Sequence, residues 1–344
     1  MKPVFRLGLS SDFYDEARQA AETVIAKRIT GLPDFEVAPL PRFPDHHATP
    51  EGLRDFDAIF ALATRVDAQS LAGVDRLACV ARWGVGYDRI DTDALTEHNV
   101  ALTITPNSVK RPVAEAIFTF ILALAKNLPV QDRITREGKW RGHLPKLGVS
   151  LAGKTLGSVG CGNIGQEMFR VSQSLGFGRR IAYDPFVSQP QVDQLGVEMV
   201  DMDTVFRESD FVTVNVLLNK STTGLVQERH FRLMKPTAYF VNTARGPIVE
   251  HSGLVRALRE QWIAGAGIDV FPVEPAPPDD PLFVLDNCIL APHAMAWTNE
   301  LMENNGFEAT DCVLAIARGE VPPSVVNKAV LDRPAFRKKL EGYR

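Results

Sequence analysis

The chain has 344 residues, 38 Lys+Arg against 42 Asp+Glu (net charge −4), and is 45% hydrophobic and 23% charged. That length favours two domains, and the composition excludes wholesale disorder. The near balance of charge leaves no excess of cations for a nucleic-acid face, so no nucleic-acid partner is expected.

At the N-terminus, Met1-Lys2-Pro3 precedes an apolar run over 4–9 that is short and interrupted by Arg6. It lacks the core of a signal peptide, which points to a cytoplasmic protein. Runs at 4–9, 35–40, 58–63 and 79–81 read as buried parallel strands. Between the first two, residues 12–28 carry apolar positions at helical spacing, with Ser10 or Ser11 as N-cap. Strands interleaved with helices imply βαβ units and a parallel sheet.

Thr105-Pro106-Asn107-Ser108 punctuates this pattern, and a long helix follows over 113–128. Its most apolar stretch, 116–125, lies between Glu115 and Lys126 and is about half of a bilayer span, so it reads as a buried helix and no membrane partner is expected. A second βαβ series begins at Lys154, with strands at Thr155–Val159, 181–183, 211–216, 238–242, 265–269 and 288–290. Six strands at this spacing predict a doubly wound sheet. One more helix, about 299–318, leads into a Pro-containing tail. The four cysteines, Cys79, Cys161, Cys288 and Cys312, have neither CxxC spacing nor nearby histidines. They read as buried thiols of a reducing compartment, and no metal site is expected.

Gly160-Cys161-Gly162-Asn163-Ile164-Gly165 matches GxGxxG between an apolar strand and a helix. There, glycines permit a tight turn and let backbone N–H groups approach a pyrophosphate. Asp184 ends the next strand, 24 residues beyond Gly160. A carboxylate at that place accepts from ribose hydroxyls and repels a 2′-phosphate, so the cofactor read is NAD rather than NADP. A turn aspartate ahead of Pro185 is the alternative. Arg179 and Arg180 precede the expected strand and are poorly placed for an extra phosphate.

Three later strands lead into Arg245, Glu274 and His293. Ligands of open α/β sheets bind outside the carboxyl ends of strands, so the three could share one crevice. An imidazole exchanges a proton with a carbonyl or hydroxyl near neutral pH, a glutamate on its other nitrogen fixes the tautomer, and a guanidinium grips a carboxylate through two parallel bonds. Each alone also has an ordinary reading as a loop or turn residue.

At this point the chain resembles the D-isomer-specific 2-hydroxyacid dehydrogenases. The likeness runs from residues 80–91 (VARWGVGYDRID) to 319–327 (GEVPPSVVN), and its most specific pieces are 241–246 (VNTARG), 267–271 (GIDVF) and Pro292-His293. The resemblance implies an α/β architecture in which a Rossmann domain, 108–297, is inserted into a discontinuous flavodoxin-like substrate domain, 1–107 and 298–344. Helices after about Ser108 and Thr298 would be the hinges, and domain closure would exclude water. It assigns the backbone N–H groups of Trp83, Gly84, Val85 and Gly86 to the substrate carboxylate, Asp269 to the nicotinamide amide, and Thr222, Thr243 and Ala244 to the cofactor groove. It also makes 129–150 an arm of a homodimer formed through Rossmann domains, with Trp140 as an anchor that nothing local would bury.

The chain departs from the resemblance at three places. Asn215-Val216-Leu217 replaces His-x-Pro; Met295 and Trp297 follow the catalytic histidine where small residues are usual; and Ala61 aligns with the phosphate-gripping Arg of phosphoglycerate dehydrogenases. The expected activity is NAD(H)-dependent interconversion of a 2-oxo acid and a D-2-hydroxy acid, glyoxylate or hydroxypyruvate being the best substrates. The alternatives are formate or phosphite oxidation on the same fold, against which Glu274 stands where formate enzymes usually have Gln, and an NAD-sensing corepressor-like binding protein.

Overall fold

The computed structural model describes residues 4–344; Met1-Lys2-Pro3, where the reading of a leader began, lie outside the described residues. The chain divides into two compact units, one made of Met1–Val109 with Trp297–Arg344 and the other of Lys110–Ala296.

The first unit holds five parallel strands: β1 (Phe5–Leu9), β2 (Phe35–Pro39), β3 (Ala58–Ala61), β4 (Cys79–Arg82) and β5 (Ala101–Thr103), in the order β2-β1-β3-β4-β5. This is the flavodoxin-like order. All four residues of β3 are buried, as a strand covered on both faces requires. The strand β5 was not anticipated. The expected helix 12–28 is two helices, Asp12–Glu16 and Arg18–Arg28, broken at Ala17 (φ −143°). Neither serine caps it: Ser11 stands at the N-cap without a side-chain bond, and the Ser10 hydroxyl goes to the Asp12 carboxylate. The helix Asn299–Ala317, capped by Thr298 Oγ1 accepting from Leu301 N (3.1 Å), closes the unit. Its Gly306 faces the Trp83 indole, where an added β-carbon would lie 2.5 Å away. Trp83 is fully buried, its ring 4.6 Å from Phe13 and 5.5 Å from Phe60.

The second unit holds seven parallel strands: β6 (Thr155–Val159), β7 (Arg179–Tyr183), β8 (Glu198–Met199), β9 (Phe211–Val214), β10 (Tyr239–Asn242), β11 (Gly265–Ile268) and β12 (Cys288–Leu290). Their order is β12-β11-β10-β9-β6-β7-β8, the Rossmann arrangement, reversing direction between β6 and β9. The two-residue edge strand β8 is the seventh that the sequence reading lacked. Arg179 and Arg180 lie within β7 and not before it. Arg179 is tied to Glu198 (2.8 Å) and Glu208 at the amino end of the sheet.

The long helix starts earlier than expected, at Pro106, and ends at Ala125; Asn127 (φ 52°) then turns the chain by 58° into a second helix, Leu128–Arg136. So part of 129–150 is helical. Trp140 beyond it is 68% exposed. Among the described residues no single helix is long and apolar enough to cross a membrane.

Beneath this sheet His230 is 1% exposed, its Nδ1 accepting from Gln227 N (2.9 Å) and its ring 4.9 Å from Phe206. Burial, reinforced by the neighbouring Arg229 charge, holds its pKa below the ordinary imidazole value. Below about pH 6.5, the ordinary histidine value, the unfolded chain takes up a proton that the folded one refuses, so stability falls with acidification until the folded pKa is passed. Replacing His230 with Gln, which can still accept from Gln227 N, should flatten the dependence of Tm on pH between pH 7 and 5. Identical slopes for the two proteins would remove His230 as the cause.

Candidate active site

The glycine loop follows β6. Gly160 has φ +97°, and a β-carbon on it would lie 2.4 Å from the Asn215 carbonyl oxygen. Gly165 would meet the Gly160 oxygen at 2.7 Å, so the helix Asn163–Ser172 rests directly on the turn. Gly162, in contrast, faces open space and caps that helix without a side chain. The first amides of the helix, including those of Asn163 and Ile164, therefore open onto a cradle that any β-carbon at Gly162 would begin to fill. Thr243 Oγ1 is buried with no partner among the described residues. Open helix amides after β6 and an orphaned hydroxyl after β10, two strands away in the same sheet, fit a dinucleotide.

Asp184 lies at the end of β7. Its Oδ2 accepts from Cys161 N (2.8 Å) and its Oδ1 from Phe186 N (2.9 Å). The carboxylate thus makes the turn ahead of Phe186 and also steadies the glycine loop, while each oxygen keeps a lone pair for a further donor. Thr222 is less available. Its hydroxyl donates to Leu217 O (2.6 Å) and accepts from Asn219 N (2.8 Å), shaping its own loop.

At the carboxyl ends of β10, β11 and β12 the structure brings Arg245, Glu274 and His293 together. Asn242, 2% exposed, ends β10 and pins the loop after it: its Oδ1 accepts from Ala244 N and its Nδ2 donates to Arg245 O, both 3.0 Å. Arg245 Nη1 donates to Ala244 O (2.7 Å). A β-carbon on Gly246 would sit 2.0 Å from the Phe271 carbonyl carbon, so only glycine lets the Arg245 loop lie against the loop that carries Glu274. Glu274 Oε1 accepts from Phe271 N (3.0 Å), and Oε2 lies 2.8 Å from His293 Nδ1. Burial pushes the Glu274 carboxyl up, but the bond from His293, the Phe271 N–H and the charge of Arg245 outweigh it and hold its pKa below the ordinary value.

His293 itself is in the left-handed region, φ +56°. Its N–H donates to Asp269 O (2.7 Å), and the Asp269 carboxylate accepts from Ala294 N (3.0 Å) and Met295 N (3.3 Å). Asp269 is 3% exposed, and that burial raises its pKa despite the amides that bind it. Sequence reasoning gave Asn242 no role and gave the Asp269 carboxylate only one from resemblance. A polar residue ending each strand was the available signal, but its partners are backbone amides that only the fold places. Met295 packs onto the core of the unit.

In the first unit, Trp83 N donates to Ala61 O (3.0 Å) and Gly84 N to Thr105 Oγ1 (2.8 Å). Two of the four amides expected to meet a carboxylate are therefore engaged within the unit. Arg82 Nε donates to Gly86 O (2.9 Å), fixing the far side of the same loop.

No group of three His, Cys, Asp or Glu among the described residues could hold a metal ion. The four cysteines are free thiols. Burial pushes Cys161 and Cys288 up to about 12 and Cys312 to about 11, which leaves them inert at neutral pH.

Residues 118–295 match the D-isomer specific 2-hydroxyacid dehydrogenase, NAD binding domain. A glyoxylate reductase of Korarchaeum cryptofilum is 40% identical over 286 residues, 82% of this chain and 86% of that protein. A glyoxylate reductase of Thermococcus litoralis is 38% identical over 322 residues, 91% of this chain and 96% of the relative. Among solved structures, a glyoxylate reductase from Paecilomyes thermophila superposes with a TM-score of 0.80 at 27% identity, covering 94% of this chain and 98% of that one. The chain belongs to the D-isomer-specific 2-hydroxyacid dehydrogenase family. It is an oxidoreductase that uses a nicotinamide dinucleotide to interconvert 2-oxo and 2-hydroxy acids.

Proposed function

We propose that this dehydrogenase reduces a small 2-oxo acid, glyoxylate or hydroxypyruvate, to the D-2-hydroxy acid with NADH, using His293 as proton donor, Glu274 as its partner and Arg245 as the substrate clamp. The observation that carries the reading is the 2.8 Å bond between His293 Nδ1 and Glu274 Oε2, on the strand edge that also bears Arg245. When bound, the reduced nicotinamide supplies the hydride. With Nδ1–H directed at the carboxylate, the proton to be transferred sits on His293 Nε2, from which it passes to the carbonyl oxygen. Glu274, kept ionised by its surroundings, stabilises the imidazolium before transfer and holds the ring in place afterwards. Arg245 offers two parallel N–H groups to the substrate carboxylate and polarises the adjacent carbonyl. In the first unit, the amides of Val85 and Gly86 are the candidates for further carboxylate contacts. Gly160, Gly162, Asn163, Ile164 and Gly165 would hold the pyrophosphate, Thr243 and Ala244 the nicotinamide side, and Asp184 the adenosine ribose.

The choice of NAD over NADP rests on Asp184, whose charge would stand beside a 2′-phosphate. A homodimer rests on apolar side chains left on one stretch of the second unit: Leu128 is 58%, Trp140 68% and Leu147 83% exposed. A Trp with this much surface open to water is typical of an interface anchor.

Substituting His293 by Ala should lower kcat by about 10²–10⁴, the worth of a positioned general acid, with little change in NADH affinity; Glu274→Gln should be milder. An undiminished kcat in His293→Ala would take that residue out of the mechanism. Cofactor preference is read by comparing kcat/KM with NADH and NADPH. The wild type should prefer NADH and Asp184→Ser should narrow the gap, whereas a wild type that prefers NADPH refutes the argument from Asp184. Light scattering decides assembly: a species of about 76 kDa, twice the 37.9 kDa chain, supports the dimer. Trp140→Ala should weaken it, and a concentration-independent monomer of the wild type would sink the proposal.

A further inference from the structure

At the strand pair where the second sheet reverses direction, buried polar side chains stand inside the core. Ser158 of β6 and Thr213 of β9 are register partners, both fully buried, and Asn215 follows the end of β9. Hydroxyls in such a place, and the half-buried carboxamide beside them, are costly unless their protons find acceptors. Here they do. Asn215 Nδ2 donates to Ser158 Oγ (2.9 Å) and to Thr213 Oγ1 (3.0 Å). Ser158 Oγ donates onward to Gly160 O (2.6 Å), and Thr213 Oγ1 to Gly157 O (3.2 Å). The two carbonyls at the ends settle the direction. Ser158 Oγ has to donate to Gly160 O, and Thr213 Oγ1 donates to Gly157 O or to Met168 Sδ (3.3 Å), so both oxygens accept from the Nδ2 side of the Asn215 amide.

The Ser158 arm ends on one particular peptide group. The Gly160–Cys161 peptide is gripped at its C=O by Ser158 and at its N–H by the Asp184 carboxylate (2.8 Å). It immediately precedes the amides that open onto the Gly162 cradle. With Gly160 at φ +97°, a rotation of this peptide would swing those amides off line.

We propose that Asn215 is a positioning residue for the dinucleotide: acting through Ser158, it fixes the Gly160–Cys161 peptide and thereby aims the phosphate-binding amides. The proposal rests on reading the glycine loop as the pyrophosphate site. It acts on a part common to NADH and NADPH, so it does not depend on which of them the enzyme prefers.

The test is direct titration of NADH and NADPH, followed by nicotinamide fluorescence, into wild type, Asn215→Ala, Ser158→Ala, the double variant and Thr213→Val, with a thermal melt of each. Asn215→Ala and Ser158→Ala should each weaken binding about tenfold, as expected for one buried hydrogen bond. The double variant should bind no worse than the weaker single one, because both act along one path. Thr213→Val, whose arm ends on Gly157 outside the loop, should bind as wild type does. In steady state the losses should appear in KM for the dinucleotide and not in kcat. Unchanged affinity in Ser158→Ala, which removes a single buried oxygen, overturns the relay even if Asn215→Ala fails to fold; so do losses that multiply in the double variant. A wild type that binds neither dinucleotide overturns the reading of the glycine loop and the relay together, whereas a wild type that binds while Ser158→Ala binds equally well overturns the relay alone.

Discussion

With φ at +56°, His293 occupies backbone space that costs a residue with a β-carbon about 1–3 kcal/mol, and the catalytic edge is organised around keeping it there. One buried aspartate does most of this. Asp269 receives the His293 N–H on its backbone oxygen and the next two N–H groups on its carboxylate. These three hydrogen bonds to one buried side chain and its carbonyl hold the turn in the left-handed region. The left-handed turn lets the imidazole reach Glu274 across the loop, where its Nδ1 is held, as the proposed role of Nε2 requires. Asp269 is in turn placed by its own N–H donating to Asn242 O (3.0 Å), which links β11 to the strand end that carries Arg245. The proposed acid, its partner and the clamp therefore share a support of two buried polar residues, Asp269 and Asn242.

The cofactor side of the sheet uses a different means. In the proposed mode no cation is needed at the glycine loop, because the helix Asn163–Ser172 would offer its own amides and the positive end of its dipole to the phosphates. Arg179 and Arg180, the arginines nearest Asp184 in sequence, belong to the opposite end of β7, where Arg179 is held by two glutamates. The proposed preference for a bare ribose over a phosphorylated one rests on Asp184, because a carboxylate and a 2′-phosphate held close together in a partly buried site would repel strongly. The departure from His-x-Pro at 215–217 falls in this same region, and the structure gives it a place: Asn215 joins β9 to the glycine loop through Ser158.

Much of this was legible in the sequence, and the misses have physical causes. The βαβ alternation, the glycine loop and the three residues after β10, β11 and β12 stand out because apolar runs, glycine spacing and isolated charged groups are local signals. The edge strand β8 has two residues, too few for any pattern to register. The break at Ala17 was invisible because alanine is the best helix former; it arises from tertiary contacts, with Asp12 drawn toward Ser10 and the Ala63 amide (2.6 Å). Asn242 and the Asp269 carboxylate escaped for a related reason. Their partners are main-chain amides that carry no residue identity, so nothing in the sequence marks them as neighbours.

The first unit constrains the substrate by what stands at the ends of its strands. Asp12 is 2% exposed and accepts from Phe13 N (3.1 Å), Ala63 N (2.6 Å) and Thr64 Oγ1 (3.4 Å), which places a buried acidic side chain where β1 and β3 finish. Ala61, at the place where a phosphate-gripping arginine would be expected, is fully buried in β3. The nearest candidate to replace it, Arg65, is bonded to Asp67 (3.0 Å), which also pairs with His47 (2.9 Å). A phosphate brought to this edge would meet a buried carboxylate and an arginine already neutralised by its neighbour. A compact acid without the phosphate brings less negative charge, which supports the proposal of glyoxylate or hydroxypyruvate over a phosphorylated 2-oxo acid.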